Sequence, residues 1–233
     1  MPCTLSAALA DAAVCRGSFH AVLRTDVPDA VFAAFSAALQ KAQAEGRILT
    51  ASLFRYENHL FFYAEGLNRP FTPQGLCPAL DAALLPWPPA LGEAAPRPWA
   101  AMQPYFYHDV PTTAADWQQG RCPQRRRGRI ALLPPDSWCS YMEHHLRIVT
   151  EGLVEGDRWH LICVQEGVLF SYLEEPRTNV NIKHQPGAHS PELDAWIAAD
   201  PESHFARFTP EQKAHPDSSH NFVFLPRIAG TED

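Results

Sequence analysis

Tyr141 and His145 stand four residues apart in the run Tyr141-Met-Glu-His-His145. On a helix that spacing puts both side chains on one face, one turn apart. Histidine changes charge near neutral pH, and tyrosine adds a hydroxyl that donates or accepts a hydrogen bond. Together they describe an acid–base site. His144 is turned about 100° away on the same helix and so cannot share the cleft. Histidine is also unevenly spread. Eight of the eleven (His144, His145, His160, His184, His189, His204, His215 and His220) lie from residue 144 onward. No His-x-Glu-x-His or Cys-x-x-Cys spacing accompanies them. The expectation is therefore a site with no metal. His160 belongs to the strand predicted after the helix, and His204 and Phe205 to the last predicted helix. The ends of those elements converge on one sheet face, which brings them toward Tyr141 and His145.

The frame that must hold these residues is written twice. Copy one runs Phe19-His-Ala-Val-Leu, Pro28-Asp29, an Ala-rich helix, Thr50-Ala-Ser-Leu-Phe and Leu60-Phe-Phe-Tyr-Ala. Copy two runs Arg129-Ile-Ala-Leu-Leu, Pro135-Asp136, the helix with Tyr141 and His145, Trp159-His-Leu-Ile-Cys and Val168-Leu-Phe-Ser-Tyr. The two Pro-Asp pairs, at 28 and 135, lie 107 residues apart. Copy one's helix, Val31-Phe-Ala-Ala-Phe-Ser-Ala-Ala-Leu39, has neither the Tyr nor the His. Each copy has helices on one face of a sheet and a bare apolar face opposite, which must be buried. The expected fold is α+β: two ferredoxin-like βαββαβ units packed sheet to sheet as a pseudo-twofold dimeric α+β barrel. The expected division is an arm over 1–16, a degenerate repeat over 17–111, a linker over 112–128 and the working repeat over 129–233. Within copy two the pattern predicts a helix from about 136 to 155 ended by Gly156. Strands over 158–165 and 168–174, a loop bearing Asn179 and Asn181, and helical segments over 190–198 and 201–213 follow.

The chain has 233 residues, 46% hydrophobic and 19% charged, as a folded chain requires. A net charge of −7 argues against a nucleic-acid partner. No apolar run reaches the roughly 18 residues that span a bilayer. The first residues lack the positive n-region of a signal peptide. The six scattered cysteines fit a reduced, cytoplasmic setting. The run Gln124-Arg-Arg-Arg-Gly-Arg129 has no interleaved aromatic residues, so it reads as a solvated linker rather than a nucleic-acid patch.

Across residues 129–228, copy two resembles the L-rhamnose mutarotase family. The resemblance rests on Pro135-Asp136 followed by Tyr141-x-x-x-His145, and on Pro216-Asp217-Ser218-Ser219 before Asn221-Phe-Val-Phe-Leu225-Pro226. It implies a mutarotase-like epimerase that interconverts the anomers of a monosaccharide by acid–base catalysis, with no organic cofactor. In that reading His145 is the proton donor and Tyr141 a sugar contact, His160 falls where the family has a second tyrosine contact, and Glu151 is the nearest match to a family Trp-Pro-Glu. The family's adjacent Trp pair is replaced here by Phe205-Ala206, beside His204. The implied partner is a small-molecule sugar, with no nucleic acid and no membrane. The family pairs two chains, whereas here one chain supplies both halves as an internal pseudodimer, compatible with a monomer. Two other readings remain: a cofactor-free oxygenase on the same barrel, which needs a mostly apolar pocket for an aromatic substrate, and a non-catalytic binding or scaffold protein.

Overall fold

The computed structural model describes residues 7–177, 182–213 and 216–231. Asn179, Asn181 and His215 lie outside the described residues, as does most of the first ten-residue stretch used for the signal-peptide reading. In chain order the elements are β1 (Val14–Val22), α1 (Asp29–Ala44), β2 (Ile48–Tyr56), β3 (His59–Leu67), α2 (Pro78–Ala83), β4 (Ala100–Ala101), β5 (Gln103–Tyr107) and α3 (Ala114–Gln118). There follow β6 (Arg125–Leu132), α4 (Pro135–Glu151), β7 (Val154–Glu155), β8 (Leu161–Gln165), β9 (Val168–Glu175), β10 (Lys183–His184), α5 (Pro191–Ala198), β11 (Val223–Leu225) and β12 (Arg227–Gly230). No helix among the described residues is long and apolar enough to cross a membrane.

The chain forms two compact units, both ferredoxin-like, and neither is continuous in sequence. Unit 1 comprises 1–102, 111–123 and 226–233; unit 2 comprises 103–110 and 124–225. The sheet of unit 1 has the order β12-β2-β3-β1-β4. The sheet of unit 2 has the order β11-β6-β9-β8-β5. Each contains the four strands of one βαββαβ motif, ordered 4-1-3-2, and one strand from the other copy at the edge. The contiguous division expected at 112–128 differs from this. Gln103–Tyr107 leaves copy one to pair with β8, and Arg227–Gly230 leaves copy two to pair with β2. The Arg run is corrected as well. Its arginines open β6 instead of lying in a solvated linker, because β9 presents acids opposite them: Arg126 lies 3.5 Å from Glu174, and Arg127 lies 2.9 Å from Glu175.

In unit 1, α1 has no side-chain N-cap, and its stability comes from burying Phe32, Phe35, Leu39 and Ala42. Phe35 is only 1% exposed, and burial of such a ring is worth about 2 to 3 kcal/mol. Gly46, with φ +67°, takes the left-handed position just past the helix end. Beneath α1, Phe35 meets Phe62 edge-on at 5.8 Å and stacks on Trp99 at 6.3 Å, so that this space is filled. The two repeats align through their hairpins, whose turns begin at Glu57 and Glu166, both with positive φ. A shared buried motif follows at the same place in each third strand. Tyr63 donates to Glu65 at 2.7 Å, and Tyr172 donates to Glu174 at 2.6 Å. In unit 1 Arg121 closes on Glu65 with two bonds, at 2.7 and 3.0 Å. Burial alone would raise the Glu65 pKa, yet the Arg121 charge beside it wins and holds the carboxyl below its usual range.

Candidate functional site

In unit 2, α4 runs from Pro135 to Glu151 and ends at Gly152, left-handed at φ +69°. The end expected at Gly156 is thus four residues late. Gly156 is reserved for another purpose: a Cβ there would lie 2.0 Å from the His108 ring. Alpha-helical spacing places Tyr141, His145 and Ile148 on the buried side. Tyr141 and His145 are 3% and 4% exposed, and their ring centroids lie 4.2 Å apart.

The imidazole of His145 is held in one tautomer. Its Nδ1 lies 2.8 Å from the backbone carbonyl oxygen of Tyr141. A carbonyl only accepts, so Nδ1 carries the proton and the neutral ring presents its lone pair at Nε2. Burial is the main cause that lowers the His145 pKa to about 4; His144, His204 and His108 push in the same direction, and the bond to the Tyr141 carbonyl opposes them. Near neutral pH His145 is therefore an uncharged base. Burial also pushes the Tyr141 hydroxyl up to about 12, which keeps it protonated.

Aromatic rings surround this base. Phe106 meets His145 edge-on at 4.7 Å, Tyr105 at 5.5 Å and Trp196 at 4.7 Å. Two consecutive residues of β5 reach the same imidazole because Tyr105 is the extra residue of a β-bulge: Pro104 pairs with Cys163 and Phe106 with Ile162. Such bulges re-aim side chains. Trp196 comes from α5, whose N-terminus is capped by Ser190, with Leu193 donating its N–H to the Ser190 hydroxyl at 3.0 Å. Beside this group lies a cavity of about 380 Å³, lined by Phe106, Tyr141, Trp196, Phe205, Phe222 and aliphatic side chains, together with His108, His145, His160, Arg129, Ser171, Asp157, Arg177 and Glu202.

Tyr141, His145, His160 and Phe205 thus share one cavity. His160 lies just before β8 rather than in a strand, with its N–H donated to the Asp157 carbonyl at 3.1 Å, and its ring meets Phe106 at 6.3 Å. His204 and Phe205 are not in a helix: a 3-10 turn over Pro201–His204 ends there, and Phe205 is extended. Nor does the segment from Phe205 to Lys213 form the expected helix. His204 packs behind Tyr141 and Trp196, with its Nε2 3.3 Å from the Ser140 hydroxyl, and does not line the cavity. Glu151 is also elsewhere. Six positions beyond His145, it lies about 240° round the helix. It accepts a hydrogen bond from Ser190 and borders an outer groove with Met142 and Leu146. Its contribution is indirect, because it holds the cap of the helix that carries Trp196.

Sequence reasoning missed Trp196, His108, Arg129 and Ser171. The aromatic wall sought at Phe205-Ala206 is supplied mainly by Trp196. The signal for Arg129 and Ser171 lay in the repeat. Their register partners correspond to Phe19 and Phe62 of unit 1, each pair directly opposite across the first and third strands. Among the described residues no cluster of three or more His, Cys, Asp or Glu side chains could hold a metal ion.

Fold and site together define a duplicated ferredoxin-like α+β protein with an aromatic cavity in its second unit. No family model matches the chain, and no curated protein matches it. The resemblance to L-rhamnose mutarotase therefore finds no support there. Among solved structures, a "putative monooxygenase" from Fusobacterium nucleatum subsp. nucleatum is similar over 94% of this chain and 94% of its own, at 8% identity and a TM-score of 0.42. An "anthrone oxidase-like protein" is similar over 92% of each chain, at 8% identity and a TM-score of 0.36. A "putative monooxygenase" from Lactobacillus acidophilus NCFM is similar over 94% of this chain and 96% of its own, at 7% identity and a TM-score of 0.34. Likenesses this distant bear on neither substrate nor chemistry. At neutral pH the buried imidazole of His145, with its pKa lowered to about 4 and Nδ1 committed to a carbonyl, rests as a proton acceptor at Nε2.

Proposed function

We propose that unit 2 is the site of a cofactor-free oxygenase acting on a planar, weakly acidic aromatic molecule. The observation that carries this reading is the neutral His145 base enclosed by the rings of Tyr105, Phe106, Tyr141 and Trp196. An aromatic wall binds a flat ring by offset and edge contacts, and it keeps out the water that would solvate a charged intermediate. The order of events follows from the chemistry of His145. Its Nε2 takes a proton from an activated C–H of the substrate. The carbanion so formed adds to dioxygen, giving a peroxide anion that recovers the proton from His145. Loss of the second C–H proton with cleavage of the O–O bond leaves a carbonyl and one water. One CH2 and one O2 are thereby converted to C=O and H2O, and the substrate supplies every electron. Tyr141, protonated at neutral pH, is a hydrogen-bond donor for the developing oxyanion.

The test is oxygen uptake with a panel of planar carbon acids and hydroquinones, with product identified by mass spectrometry. The expectation is enzyme-dependent uptake of one O2 per carbonyl formed, and a loss of about 100-fold or more in kcat for His145→Gln, as for removal of a general base. Absence of uptake across the panel, or uptake indifferent to that substitution, would refute the reading.

A further inference from the structure

The duplication provides an internal comparison for the cavity. In unit 1, Phe19 and Phe62 face each other across β1 and β3, with centroids 6.3 Å apart, and both pack into the core beneath α1. In unit 2 the equivalent pair across β6 and β9 is Arg129 and Ser171, and both line the cavity. The fold is thus satisfied by two phenylalanines at this place. Unit 2 has replaced one with a hydroxymethyl group, which leaves space, and the other with a cation, which costs desolvation.

Among the described residues no carboxylate is in contact with that cation, although the Glu202 charge acts on it from the same wall. Arg126 and Arg127, earlier on the same strand, lie against Glu174 and Glu175. Arg177, on the cavity wall, pairs with Asp157 at 3.1 Å. Arg129 has no ion pair among the described residues, and its Nε is buried without a hydrogen-bond partner. Its guanidinium lies over the Phe222 ring at 4.3 Å, which orients the group but does not neutralise it. The Glu202 carboxylate, also on the wall, is engaged by the Asn221 side-chain amide. Burial lowers the Arg129 pKa to about 10, and the group is still charged at neutral pH.

We propose that the cavity binds its substrate as an organic anion, a planar aromatic carboxylate whose carboxyl group docks on Arg129 in the space left by Ser171. A guanidinium presents a planar fork that matches a carboxylate, and the enclosing rings match the aromatic body. The assignment rests on the aromatic-substrate reading above and narrows it to molecules carrying a permanent negative charge.

Calorimetric titration of the full chain with 2-naphthoate and with 2-naphthamide, its uncharged isostere, tests the subsite without turnover. Wild-type protein is expected to bind the naphthoate about 30-fold more tightly than the amide, the scale of a buried charge pairing. Arg129→Met brings the two ligands to within about twofold, and Arg129→Lys falls between, since it keeps the charge and loses the fork. Ser171→Phe, which restores unit 1's residue, abolishes binding of both. Equal binding of the two ligands to wild-type protein would overturn the anion subsite, even if no Arg129 variant folds, and would leave the aromatic pocket standing. Unchanged naphthoate binding by Arg129→Met would overturn it too. Failure of wild-type protein to bind either compound would overturn the subsite together with the aromatic-substrate reading.

Discussion

Replacing His145 with leucine isolates the acid sensitivity that burial of this ring confers. The folded protein holds His145 at a pKa of about 4, against the ordinary histidine value of 6.5. As the pH falls through 6.5, the unfolded chain takes up a proton that the folded chain refuses until about 4. The stabilisation due to the neutral buried ring is therefore complete above about pH 6.5 and declines down to about pH 4. At 1.36 kcal/mol per unit, the loss between about pH 7.5 and pH 4.5 comes to about 2.5 kcal/mol. Urea denaturation at those two pH values, on wild type and His145→Leu, reads this difference directly. Leucine cannot titrate, so the pH dependence of the variant is expected to be shallower by about 2.5 kcal/mol, whatever its stability at pH 7.5. Long-range proton–nitrogen NMR of the wild type adds a second readout. The ring is expected to titrate near 4 and to show the Nδ1–H tautomer. A ring that titrates near 6.5, or a pH dependence identical in the two proteins, would refute the reasoning and with it the assignment of His145 as a neutral base.

The other expectations are simpler. Ser190→Ala removes the cap of α5 and the partner of Glu151, and is expected to cost about 1 kcal/mol in denaturation while loosening Trp196, seen as a change in its fluorescence. Gly156→Ala puts a methyl group into the His108 ring and is expected to cost about 1 to 3 kcal/mol, read as a lower melting temperature. Arg121→Met leaves Glu65 buried without its bidentate partner and is expected to cost about 3 kcal/mol or more, whereas Arg121→Met with Glu65→Leu recovers much of that loss.

The sequence made the periodic features legible. The strand–helix–strand–strand order of each copy, the helix with Tyr141 and His145, and the repeated Pro-Asp all depend on contacts close along the chain. The edge-strand exchange was not legible, since nothing in Gln103–Tyr107 or Arg227–Gly230 records which sheet each joins. The Arg run was misread because composition cannot show that Glu174 and Glu175 lie across from it, an arrangement created by strand register. At the site, helical spacing correctly paired Tyr141 with His145. It could not foresee the bulge that turns both Tyr105 and Phe106 toward the imidazole, because a bulge depends on pairing rather than on local propensity. The resting protonation state of His145 was not legible for a related reason, since it depends on burial and on one backbone carbonyl, neither of which the residue type reveals.

The exchanged edge strands set an order of events for a chain made from its N-terminus. Unit 1 receives β12 at β2, so that Ser52 waits for its partner until Gly230 has been synthesised. Until then β2 is an open edge, with unpaired backbone groups available to any other extended segment. Unit 2 has the opposite schedule, because β5 is made before the rest of its sheet. The sheet begun first therefore receives its edge strand only after every strand of the second sheet has been made.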